Sequence, residues 1–136
     1  MEFLNSIKEL IPDYAKDIRL NIDGTIARSS LEGNDAVGVA LAAAFAAKSR
    51  KIIDVILASN ALSPEESNAA MTASALMGMN NAWYPYVEMT GDDDLKNQPA
   101  QLRMNAYATN GGIDKRRFEM FALSASIIGK CQFCIK

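Results

Sequence analysis

The chain of 136 residues contains no histidine. Ser–His and Cys–His nucleophile pairs and histidine-ligated metal centres are therefore excluded within it. Any general base must be a carboxylate, a lysine, a tyrosine or a water. Charge of one sign is also scarce: 14 basic residues stand against 16 acidic ones, a net charge of −2, and no basic block occurs. A nucleic acid or an anionic membrane surface thus finds no electrostatic footprint. The longest apolar run, Ala36 to Ala47, has twelve residues and is alanine-rich, too short to cross a bilayer. The opening "MEFLNSIKEL" carries Glu2 and no cationic segment, so no secretory signal is expected and the cytoplasm is the expected compartment. In that compartment the two cysteines point to catalysis or metal binding more than to a structural staple.

What is present suits a packed core. A hydrophobic fraction of 49 % with 22 % charged residues fits one globular domain over residues 1–136. A chain of this size buries roughly two-thirds of its unfolded surface. The pattern is helical from end to end. Residues 2–10 read as a short helix closed before Pro12. Tyr14, Ile18, Ile22 and Ile26 recur every fourth residue as one apolar stripe, which Gly24 weakens. Asn34 is the expected cap of a third helix, apolar nearly all round and hence central. "IIDVILAS" follows as a helix with Ile52, Ile53, Ile56 and Leu57 on one face, its β-branched content leaving strand as a minor alternative.

The clearest boundary is "SPEES": Ser63 as N-cap, Pro64 at the first helical position and Glu66 completing a capping box. Gly78 is expected to end that helix, with "MNNAWYPYVEM" a short helix or turn interrupted by Pro85. "TGDDDLKNQP" reads as a polar linker and "QLRMNAYAT" as another short helix. Asp114 should cap "KRRFEMFALSASII", with Phe118, Ala122, Ala125 and Ile128 inward and Gly129 as its stop. Met71, Met77, Met79 and Met104 read as core filler. Arg103 and Asn105 are placed to satisfy buried carbonyls.

The chemistry concentrates in "GKCQFCIK". Cys131 and Cys134 admit three readings: a redox couple, half of a zinc site, or two inert buried thiols. Zinc would need two further ligands, and with no histidine or third cysteine these must be carboxylates or come from another subunit. The redox reading is favoured. If Gly129 lets the chain turn, the cysteines occupy the first turn of the next helix, where unpaired N–H groups and the dipole stabilise a thiolate. The second sulfur then lies one turn away, placed to close a disulfide, and Lys130 adds positive charge. Glu119 shares its stripe with Leu123 and Ser126. It is either a partly buried carboxylate with a raised pKa or an exposed helical glutamate beside a lysine or arginine.

The blocks "IPDYAKDIRLNIDGTIARSSL", "ALMGMNNAWY", "LRMN" and "FEMFALSASIIGKCQFC" resemble the alkyl hydroperoxidase D family of the carboxymuconolactone decarboxylase-like superfamily. The likeness runs, with gaps, from Ile11 to Cys134. It implies a compact all-α, multi-helix orthogonal bundle, a homotrimer, and peroxide reduction through a Cys-x-x-Cys at the start of a C-terminal helix. It further implies Cys134 as the peroxidatic cysteine, Cys131 as the resolving and exchanging thiol, and Glu119 as the proton-transferring carboxylate. No bound cofactor or metal is implied. The reducing co-substrate would be dihydrolipoamide, carried on a lipoyl-bearing dehydrogenase component, and the partner a peroxiredoxin. Related chains carry a histidine between the cysteines, where Phe133 stands here. A second falls four residues after the later cysteine, just past Lys136, so further C-terminal residues are expected. Two other readings remain: a non-catalytic helical oligomer with structural cysteines, and a decarboxylase-like relative, whose chemistry has no use for a cysteine pair.

Overall fold

A computed structural model of the chain describes residues 2–136, and every regular element among them is helical. In order these are α1 (Phe3–Glu9), α2 (Lys16–Ile22), α3 (Gly33–Ala46), α4 (Arg50–Ala58), α5 (Pro64–Thr90), α6 (Asp93–Lys96), α7 (Asn105–Ala108), α8 (Lys115–Ile128) and α9 (Gln132–Ile135). Among the described residues no helix is long and apolar enough to cross a membrane.

α3, α5 and α8 pack against one another as the centre of the molecule. Composition explains why. α3 buries Ala36, Val37, Leu41, Ala42 and Ala44, and α5 contributes Ala69, Ala70, Ala73 and Met77. The small alanines let backbones approach closely, and Phe118 and Phe121 of α8 fill the space left between them. The three helices start at the same end of the core. There Arg117 of α8 reaches both Asp35 of α3 and Glu66 of α5. α4 leans on α3 from outside, and α1 packs against α4.

Two helix starts stand where small polar residues put them. The Ser63 hydroxyl accepts from the Glu66 N–H at 3.1 Å, with Pro64 first in α5. The Asp114 carboxylate accepts from the Arg117 N–H at 3.1 Å. Each side chain satisfies one of the donors a helix N-terminus leaves unpaired.

Elsewhere tertiary contacts override local signals. α5 does not stop at Gly78. It runs on through Pro85 and ends at Gly91, whose φ of 65° is the left-handed geometry that glycine accepts without strain. Pro85 withholds one N–H from the helical ladder. Contacts of its neighbours, Val87 in the interior and Tyr84 against Phe133, hold the second half of α5 all the same. α3 starts at Gly33, leaving Asn34 inside the first turn, where Asp35 supplies the negative charge favoured near a helix N-terminus. The Tyr14 stripe divides: Tyr14 sits in a 3₁₀ turn and is 93 % exposed, while Ile22 and Ile26 pack on the core. Between them the helix widens to a π-type turn over Asp23–Ala27, which holds Gly24. On α8 the inward residues are Phe118, Phe121, Ala122, Ala125 and Ser126, and Ile128 faces out. Arg103 and Asn105 are exposed; the arginine that binds buried partners is Arg117.

Candidate redox site

The end of α8 sets the cysteines in place. The amides of Gly129, Lys130 and Cys131 turn back to the carbonyls of Ala125, Ile127 and Ser126, at 3.0, 3.1 and 3.2 Å. The reversal occurs at Lys130, with φ 53°, and not at Gly129, which keeps helical φ. Gly129 is needed for a different reason. A Cβ there would collide with the Asn81 side chain of α5. That side chain donates to the Ala125 carbonyl at 3.2 Å, stitching α5 to the last turn of α8.

Cys131 then caps α9, its Sγ accepting from the Cys134 N–H at 3.2 Å. Both cysteines thus lie at the opening of the C-terminal helix, and they are joined to each other by a disulfide, their Cα atoms 5.3 Å apart. Their surroundings differ. Cys131 is fully buried, its sulfur 3.9 Å from the Asn80 carbonyl oxygen, where a thiol hydrogen would find an acceptor. Cys134 is half-buried and lines a cleft of about 320 Å³ with Met77, Asn80, Tyr84, Met104 and Phe133. The Phe133 ring stacks on Tyr84 with centroids 3.9 Å apart. One sulfur is sealed and the other is open.

The two thiols bind each other, and among the described residues no group of three or more cysteine, aspartate or glutamate side chains could hold a metal ion.

Glu119 lies apart from the sulfurs. It is exposed on α8, and the Lys115 ammonium one turn earlier is 3.9 Å from its carboxylate. It stands seven residues, or roughly 10 Å of helix, before Ser126, whose carbonyl receives the Cys131 amide. Among the described residues no hydrogen bond or ion pair joins Glu119 to either cysteine. Its stripe is split as well, with Leu123 exposed and Ser126 fully buried.

Sequence reasoning missed the second layer of the site. Asn80 and Asn81 fall in a stretch expected to be a short helix or turn with no part in the site, yet one presents its carbonyl to Cys131 and the other binds the α8 terminus. Two adjacent asparagines within a strongly apolar stretch were the available signal. Also missed was the ionic clasp at the opposite end of the core. There the Arg117 guanidinium donates to Asp35 at 2.6 Å and to Glu66 at 2.8 Å. The Arg117 hydrogen bond, opposed by burial, holds the Glu66 carboxyl below its ordinary value. Glu66 in turn raises Arg117.

No protein-family model matches this chain. Individual proteins do. It is 41 % identical over 135 residues to the alkyl hydroperoxide reductase AhpD of Rhodospirillum centenum, spanning 98 % of this chain and 72 % of that protein. The protein of the same name from Coxiella burnetii is 39 % identical over 137 residues, covering 97 % and 77 % of the two chains. That of Rhodopseudomonas palustris is 40 % identical over 131 residues, covering 95 % and 72 %. With identity of this order across nearly its whole length and an all-helical core that ends in paired cysteines, the chain belongs to the alkyl hydroperoxide reductase AhpD family.

Proposed function

We propose that this chain is a thiol peroxidase and thiol–disulfide oxidoreductase that reduces hydroperoxides through Cys134 and Cys131. The observation that carries the reading is the asymmetric disulfide, one sulfur buried at a helix cap and the other facing a cleft. In the reduced protein the Cys134 thiolate attacks the distal oxygen of ROOH. The O–O bond breaks, Cys134 becomes a sulfenic acid, and RO⁻ takes a proton to leave as ROH. The Cys131 thiol then displaces the sulfenic oxygen as water and closes the disulfide. Glu119, acting through water, is assigned the proton transfer that frees Cys134.

Recharging reverses the sulfur chemistry with an external dithiol. Exposure favours Cys134 as the sulfur attacked, because Cys131 is out of reach. Cys131 then departs as a thiolate, and the Cys134 N–H that already points at its sulfur stabilises that charge. This assigns the exchange step to Cys134, where the family resemblance implied Cys131. We assign dihydrolipoamide on a dehydrogenase component as the dithiol, a peroxiredoxin as the protein receiving electrons, and the cytoplasm as the compartment. A homotrimer is the proposed assembly, and exposed Leu123 and Ile127 on α8 are apolar surface for it to cover.

Thiol titration tests the core of the reading. One equivalent of peroxide should remove both thiols of the reduced chain, and Cys134→Ser should keep its remaining thiol. Persistence of both thiols in the unsubstituted chain would falsify the peroxidase reading. Glu119→Gln should slow the peroxide step while the helical content stays intact; an unchanged rate would remove Glu119 from the mechanism. Reoxidation of dihydrolipoamide and of glutathione by the disulfide form, measured side by side, tests the assigned reductant.

A further inference from the structure

Reduction of a hydroperoxide at Cys134 needs two proton transfers. One proton leaves the Cys134 thiol. The other must reach the RO⁻ that departs as the O–O bond breaks, because an alkoxide is too strong a base to leave easily without it. A histidine would be the ordinary donor, and the chain has none.

The walls of the Cys134 cleft narrow the choice. Among the described residues no lysine, arginine or carboxylate lines it. Asn80 and Gln101 bring amides, which orient a peroxide by hydrogen bonds yet release no proton at neutral pH. The side chains with a proton to give are the phenols of Tyr84 and Tyr107. These two are held differently. Tyr107 meets the fully buried Phe118 edge-on, ring centroids 5.5 Å apart, so its ring is drawn toward the core. Tyr84 stacks on Phe133, the neighbour of Cys134 in the chain, with centroids 3.9 Å apart and planes 16° from parallel. It also stands one turn after Asn80, whose carbonyl faces the Cys131 sulfur, so one side of α5 serves both cysteines. Phe133 has no proton to give; it holds the ring that does.

We propose that Tyr84 is the general acid of the peroxide step, its hydroxyl giving a proton to the departing oxygen. The inference rests on the peroxidase reading and adds a catalytic residue to it. The Cys134 thiolate bonds to the distal oxygen and the O–O bond breaks, so sulfur is oxidised to a sulfenic acid and the peroxide is reduced. The proximal oxygen leaves with the electron pair and takes the Tyr84 proton, giving ROH and a phenolate. Water in the adjoining cleft of about 590 Å³, which Tyr84 also lines, returns a proton to the phenolate. The Cys134 cleft, of about 320 Å³, far exceeds the roughly 30 Å³ that a water takes in the liquid, so a peroxide group fits between sulfur and phenol.

The choice of oxidant separates proton donation from packing. tert-Butyl hydroperoxide releases an alkoxide and needs the proton; peracetic acid releases acetate, a weak base that does not. The rate of thiol loss from the reduced chain is measured with each oxidant under single turnover. Tyr84→Phe keeps the ring and its stack. It should slow the tert-butyl hydroperoxide reaction about tenfold or more and leave the peracetic acid rate within about twofold. Tyr107→Phe should leave both rates within about twofold. Equal slowing with both oxidants in Tyr84→Phe overturns the assignment, because the hydroxyl would then serve the packing of the cleft. No slowing with either overturns it too, as does a selective loss confined to Tyr107→Phe. If the unsubstituted chain loses no thiol to tert-butyl hydroperoxide, the peroxidase reading falls and Tyr84 with it. If that chain reacts and Tyr84→Phe is equally fast, the assignment of Tyr84 falls alone.

Discussion

α5 and α8 run side by side, and their two ends are held by opposite means. At their N-terminal ends Arg117 is clamped between Asp35 and Glu66, and Asp35 is only 5 % exposed. Asp35, Glu66 and Arg117 each have a partner at 2.8 Å or closer. At the C-terminal end of α8 the tie is a single neutral hydrogen bond from Asn81, followed by a left-handed Lys130 and the cysteine cap. Buried oxygens of Ser126 and Asn81 there have no protein partner among the described residues. The ionic end is over-determined; the sulfur end is not. The proposed function has the sulfurs form and break a bond, and a sparsely tied helix end accommodates that movement where a packed ion cluster would not.

The largest effect should come from the sulfur end and should spare the fold. Cys134→Ser is expected to lower peroxide turnover about a thousandfold or more while melting as the reduced parent chain does, by calorimetry in excess reductant. Arg117→Ala should do the reverse. It leaves the buried Asp35 only the exposed Arg116, 3.5 Å away, and should cost about 3 kcal/mol in urea denaturation, with the folded fraction retaining its peroxide chemistry. Loss of turnover per folded molecule would break the division between the two ends. Asn81→Ala should be milder, about 1 kcal/mol, with faster hydrogen exchange confined to the amides of Gly129, Lys130 and Cys131. Exchange rising equally at the start of α8 would mean that the ends are coupled.

The smallest effect is one of pH. Glu66 is held below its ordinary pKa of 4.5 by the Arg117 hydrogen bond, so its contribution to stability is fully present above that pH. It is lost as pH falls through the lower, folded-state value. Stability measured below pH 4.5 should therefore decline, and Arg117→Ala should remove that part of the decline.

Much of this was legible without coordinates. Ser63–Pro64 and Asp114 announced two helix starts because a cap acts within one turn and needs no distant partner. The burial of α3 followed from a stretch with almost no polar side to expose. Gly78 and Pro85 misled for the same reason read backwards: their local cost is real, but it is smaller than the packing of Met77, Val87 and Tyr84 that keeps α5 going. The clasp was illegible, since Asp35, Glu66 and Arg117 are far apart in sequence and each looks like an ordinary first-turn residue. Glu119 shows the limit on the other side: the helix that carries it was clear, while its exposure and its Lys115 neighbour needed coordinates.

Sequence alone determined the all-helical class, the principal caps and the presence of paired sulfurs one turn apart. These are short-range properties, set by residue type and by spacings of three or four. Tertiary structure alone decided which sulfur is buried, what shares a cleft with the other, and how far α5 extends. Each of those depends on surfaces meeting across dozens of residues of chain, where the energy of contact outweighs the preference of any one residue.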